Sequence, residues 1–115
     1  MYTKMIEVFQ GDSLEIQGTV SDSSGNAVDL TAFTLRMTVK RYEEDETPTI
    51  SKSSDVSGEI DKALSPTNAF TGKITPSDTS EMSGAYVYDI EASQGALTKK
   101  TLAHGIFYVK MGVTE

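Results

Sequence analysis

His104 is the only imidazole in the chain, and so the only side chain whose ordinary pKa lies near neutrality. As the base of a nucleophilic triad it would need a Ser or Thr hydroxyl on one side and a carboxylate on the other. It stands instead in "TLAHGIFYV", a strand-like run beside Gly105, and the chain contains no G-x-S-x-G elbow. The expectation is a structural or exposed histidine. The chain has no cysteine, which excludes disulfides, thiol catalysis and Cys-ligated zinc. Seventeen carboxylates will form some close pairs by chance, so spacing alone argues for no glycosidase-like pair. No glycine-rich loop is built to cradle a phosphate. These readings predict no catalytic residue, no cofactor and no metal, and a protein that is not an enzyme.

Three other groups have a binding chemistry to weigh. "DSSGNAVD" places oxygen-bearing side chains at Asp22, Ser24, Asn26 and Asp29. That faintly resembles a calcium loop, but the ligand order and bidentate Glu of an EF-hand are missing. Asx and Ser residues are also what any turn prefers, so the 22–29 loop is read as a turn with calcium as the alternative. "EEDE" at 43–46 suits a cation or a basic partner, and more commonly a solvated loop. Tyr86 and Tyr88 could line a sugar site, but their spacing places both on an inward face, where aromatic rings form core. Ile106 and Tyr108 differ. They share one face of the last strand while Phe107 and Val109 share the other, so both faces carry apolar residues. Ile106 and Tyr108 are therefore the candidate interface residues. The alternative is that residues 1–9 or 42–64 cover them as ordinary core.

The elements that hold these residues read as strands. "FTLRMTVKR" at 33–41 alternates Phe33, Leu35, Met37 and Val39 with Thr34, Arg36, Thr38 and Lys40. "SLEIQGTV" at 13–20 sets Leu14, Ile16 and Val20 on one face, with Gly18 on that face as a bulge or a close approach. Leu30 tucks under the core edge. "TISKS" is a short edge strand through Ile50, and Ile60 and Leu64 belong to a strand or one helical turn. "AFTGKIT" aligns Phe70, Gly72 and Ile74, and "AYVYDIEA" aligns Tyr86, Tyr88 and Ile90. Residues 97–111 form one long strand, or two broken at Gly105. Thr75-Pro76-Ser77-Asp78 reads as a helix start, with Thr as cap and Asp78 returning a bond. That helix is short, about 76–83, with Met82 plugging the core and Gly84 as its left-handed cap. The first segment is ambiguous: Ile6 and Val8 face inward, or Met5 and Phe9 do. Seven to eight short strands with regular turn signals predict an all-β fold. It is a two-sheet antiparallel immunoglobulin-like β-sandwich, with residues 1–115 as a single domain.

Net charge of −7 repels a phosphate backbone and an anionic membrane surface, so neither nucleic acid nor membrane is an expected partner. No run approaches the ~20 apolar residues of a membrane span. "MYTKMIEVFQGD" lacks the apolar core of a signal peptide, so synthesis in the cytoplasm is expected.

The ordered set "GDSLEIQGTVSDSSGNAVDLTAFTLRMTVKR", "TGKITPSDTSEMSGAYVYDIEAS" and "TLAHGIFYVKMGV" resembles small immunoglobulin-like β-sandwich domains encoded by tailed phages and prophages. The N-terminal domain of phage baseplate upper proteins is one such domain. The likeness covers about residues 11–111 and lies in the order of the motifs. The stretch after Lys40 is longer and more acidic than in that pattern. The resemblance implies a virion structural protein, a tail or baseplate component made in the host cytoplasm. Its partners would be other phage structural proteins, with a homo-oligomer as a further form. It brings no catalytic residue. The alternative is an extracellular adhesion module that binds a sugar or protein through its end loops.

Overall fold

A computed structural model describes residues 2–3, 5–64, 66–95 and 98–111, the first two by backbone alone. Nine strands follow in order: β1 (Tyr2–Thr3), β2 (Ile6–Phe9), β3 (Leu14–Thr19), β4 (Thr34–Lys40), β5 (Ile50–Ser53), β6 (Ile60–Lys62), β7 (Ala69–Ile74), β8 (Gly84–Gln94) and β9 (Thr98–Lys110). One helical turn, α1 (Pro76–Thr79), separates β7 from β8. The first sheet runs β9-β8-β4-β5, with β1 and β2 both paired to β9 as one split edge strand. The second runs β3-β7-β6. These orders are the G-F-C-C′ and B-E-D sheets of an immunoglobulin-type sandwich. The pairings are antiparallel except at β1 and β2, which run parallel to β9.

Alternation explains the strands. In β4, Leu35, Met37 and Val39 are fully buried, while the residues between them turn outward. Burying each such side chain contributes roughly 1.5–3 kcal/mol. Tyr86, Tyr88 and Ile90 of β8, Phe107 and Val109 of β9, and Phe70 and Ile74 of β7 complete the core. In β2, Val8 is buried, whereas Met5 and Phe9 are exposed, so the first segment turns Ile6 and Val8 inward. Residue 97, read as the start of the last strand, lies outside the described residues. From Thr98 onward β9 is continuous, and its irregularity is a bulge opposite Ile90/Glu91 rather than a break at Gly105.

The inner face of the second sheet pairs large with small at two of its three positions. Leu14 faces Ile74, Ile16 faces Gly72, and Gly18 faces Phe70. The Phe70 ring lies over Gly18: a Cβ there would stand 2.6 Å from Cζ and 2.8 Å from Cε1. Gly18 therefore marks a close approach.

Leu30, before β4, and Met82, before β8, are both buried in the core. The capping box forms as its sequence implies. Thr75 Oγ1 accepts from the Asp78 amide and Asp78 Oδ2 accepts from the Thr75 amide. The helix is shorter than read, ending at Thr79 with Ser80 as its C-cap. Gly84 does take a left-handed φ of 85°, but as the first residue of β8 rather than as the helix cap. Leu64 is 94% exposed, so only Ile60 of that segment enters the core.

Candidate functional site

β2 explains why Ile106 and Tyr108 stand in the open. The N-terminal segment lies beside β9 in the same sheet, pairing Glu7 with Tyr108 and Phe9 with Lys110, instead of crossing over the sheet's outer face. Residues 50–62 supply β5, at the far edge of this sheet, and β6, in the other sheet. Ile106 and Tyr108 are 40% and 36% exposed. They are not monomer core.

The register builds a patch around them. Tyr108 pairs across to Ala85, and Ile106 pairs to Val87, which in turn faces Lys40 on β4. On the other side comes Phe9, 48% exposed, with the Lys110 ammonium 5.5 Å from its ring centroid. Lys110 Nζ also lies 3.5 Å from Glu7 Oε2. Tyr108, Ile106 and Val87 thus form a small apolar patch, and the Glu7–Lys110 ion pair crosses between it and the exposed Phe9. Sequence reasoning found Ile106 and Tyr108. It missed Phe9 and Val87, because only the strand register brings them alongside.

Farther along the same face the character becomes charged. His104 is exposed and pairs across to Asp89, which pairs across to Thr38. Burial, and after it the neighbouring Glu91, push the Asp89 carboxyl above its ordinary value, against Lys40, Lys99 and His104. Lys99 Nζ lies 3.6 Å from Glu91 Oε1. His104 therefore sits on an open sheet face within a mixed-charge row.

The other sequence candidates are placed as follows. Asp22 Oδ1 accepts from the amides of Ser24 and Asn26, each at 2.9 Å, and Asp29 Oδ1 accepts from Thr31. The Asn26 amide is the main reason that the Asp22 carboxyl is held low, and the Thr31 side chain is the main reason for Asp29. Both carboxylates thus serve as turn acceptors, the role these residues fill in Asx turns. Among the described residues, no three acidic or histidine side chains gather as a metal-holding group. Glu43, Glu44 and Glu46 are exposed, and Asp45 Oδ2 accepts from the Tyr42 amide. Tyr86 and Tyr88 are buried, so this pair is core. The Tyr86 hydroxyl accepts from the Ser83 amide, and the Arg41 guanidinium lies 4.7 Å over its ring.

Away from the patch, Lys52 on β5 points inward and meets Asp78 of α1 at 2.7 Å, with the side chains 10% and 21% exposed. Burial alone would raise the Asp78 carboxyl. The hydrogen bond from Lys52 and those from Thr75 outweigh it and hold the carboxyl below its ordinary value. This pair fastens the edge of one sheet to the turn that closes the sandwich, a structural role.

Neither the protein-family models nor the curated proteins searched give a match to this chain.

Proposed function

We propose that this domain is a structural component of a tailed-phage or prophage particle, in its tail or baseplate, and acts by protein–protein contact. The observation that carries the reading is the patch of Tyr108, Ile106 and Val87 on the outer face of the first sheet, with Phe9 exposed beyond one ion pair. Apolar side chains gathered on one sheet face favour a partner surface, since contact removes them from water at ~25 cal/mol per Å². The sequence resemblance to phage-encoded sandwich domains supplies the setting. The occupant is a neighbouring structural protein, met by a rigid sheet face at a symmetric position in the particle.

Two measurements test this reading. Peptide mass spectrometry of particles purified after prophage induction should contain this chain, and a particle that lacks it would remove the virion role. The double substitution Ile106→Lys with Tyr108→Lys should leave the domain folded, since both side chains already meet water. It should also abolish self-association in light scattering and entry into particles. Normal incorporation of that variant would take the patch out of assembly.

A further inference from the structure

The edges of the two sheets are not equally protected. β6 is three residues long, and β1 with β2 is a split strand. β5 is four residues long and carries the inward-pointing Lys52. Short strands and inward charges are the usual guards against stray pairing. β3 has neither: it is six residues long, contains no Pro or Lys, and among the described residues pairs only with β7.

Its outward backbone groups can be identified. On β7, the Lys73 amide donates to Glu59 and the Ala69 carbonyl accepts from Ala63, so the odd-numbered residues bond toward β6. The even-numbered residues of β7 therefore bond β3, through Leu14, Ile16 and Gly18. That leaves the amides and carbonyls of Glu15, Gln17 and Thr19 directed away from the sheet. Six residues present ~20 Å of such edge.

Beside this edge lies a groove of about 1060 Å³, whose lining includes Ile6, Leu14, Ile16, Phe70, Leu102 and Ala103. Its residues face the core yet are incompletely covered. Ile6, Leu14, Ile16 and Leu102 are only half-buried, whereas Leu35, Met37 and Val39 on β4 are sealed. The cause is topological. The first sheet is five strands wide, counting β1 and β2 as one, and the second is three. β3 lines the groove with Tyr88, Ile90 and Ala103 of β8 and β9, so β2 projects beyond it. The second sheet is one strand short on this side.

We propose that this strip is filled by a single extended segment of another protein, added as a strand along β3. Its alternate residues are apolar and enter the groove, and the residues between are Lys or Arg. The basic character follows from the rim, where Glu15 and Asp22 outnumber Lys100, while Glu7 turns to the opposite face and pairs with Lys110. A second copy of this chain fits poorly. Pairing β3 to β3 would bring two acidic edges together and require both β2 strands to occupy one strip. The surface is separate from the Ile106 patch, and the proposal stands without the particle assignment.

The probe is a synthetic nonapeptide, acetyl-Lys-Ile-Lys-Val-Lys-Ile-Lys-Val-Lys-amide. Its controls are a scrambled peptide of the same composition and a version with Glu in place of Lys. Amide hydrogen exchange, resolved by NMR, should slow by ~10-fold or more at Glu15, Gln17 and Thr19 with the alternating peptide, and with neither control. Gln17→Pro removes one outward amide while sparing those bonded to β7. It should melt within a few degrees of the parent protein and lose the slowing. If that variant does not fold, the three peptides on the unaltered protein still decide. Failure to slow these amides, equal slowing by the scrambled peptide, or slowing at β5 instead would overturn the proposal. So would the same amides being protected in a dimer of the chain alone.

Discussion

Substituting Gly18 by Ala tests the packing of the second sheet at its tightest point. The added Cβ would meet the Phe70 ring at 2.6 and 2.8 Å, where ordinary contact begins near 3.4 Å. The ring must therefore withdraw by ~0.8 Å. Phe70 is buried at the edge of the groove beside β3, so the movement lifts its ring from its seat over Gly18. Overpacking of this kind costs about 1–3 kcal/mol. The ~0.5–1 kcal/mol that loss of a strand glycine gains offsets part of this, and with an unfolding entropy of ~0.24 kcal/mol/K at the midpoint Tm should fall by up to ~10 °C. The control lies across the same ladder. At Gly72 the nearest atoms to an added Cβ are Ile16 O at 3.8 Å and Ile16 Cβ at 3.9 Å, which is ordinary contact. Its backbone has no positive φ to strain. Gly72→Ala should therefore stabilise by ~0.5–1 kcal/mol through the lost freedom of the unfolded chain. Thermal unfolding followed by circular dichroism reads both. If Gly18→Ala melts at or above the parent temperature, or the two variants shift together, the ring is not seated on Gly18 and the reasoning fails.

Breaking the tether between β5 and α1 should also show. A double-mutant cycle with Lys52→Met and Asp78→Asn should give a coupling of ~1–3 kcal/mol, reduced from that of a fully buried pair because Asp78 keeps some solvent. Because the folded carboxyl of Asp78 is held below 3.8, its contribution is complete above that pH and disappears as pH falls through the lower, folded value. The Tm gap between the parent and Asp78→Asn should therefore close below about pH 4, and a gap constant with pH would refute the assignment. Leu35→Asp should bury an unpaired charge and cost upwards of ~4 kcal/mol, whereas Arg36→Gln, next along the strand and facing water, should cost under ~0.5. Equal urea midpoints for these two would contradict the facing of β4.

Strands with strict alternation and clean turns were legible from sequence. β4, β7 and β8 lie where their periodicity puts them, and the Thr75 cap forms by local chemistry alone. Features set by distant partners were not legible. Met5, Ile6, Val8 and Phe9 are apolar on both faces, so only pairing with β9 decides which side turns in. Leu64 looks like core next to Ile60, yet β6 ends at Lys62, whose ammonium bonds the Phe33 carbonyl, and Leu64 falls outside. The bulge opposite Ile90 and Glu91 carries no glycine signal, while Gly105, which does, sits in regular pairing with Tyr88. Ile106 and Tyr108 could be singled out because alternation there has two apolar faces. The groove beside β3 could not, since it arises from the different widths of two sheets.

The parallel seating of the first strand on the last has a mechanical consequence. Tyr2 lies beside Ala103, and Phe9 lies beside Lys110, so the two strands run the same way along one edge. Opposed pulls on residues 2 and 111 slide these strands past one another along their own length. The ladder bonds of β2 with β9 then bear the load together, in shear, rather than opening one at a time as a hairpin peeled from its end. Beyond β2 the chain is gripped again, where the buried Thr79 hydroxyl accepts from the Gly11 amide and donates to the Asp12 carbonyl. Tension drawn through the two ends thus meets a clamp before it reaches the core.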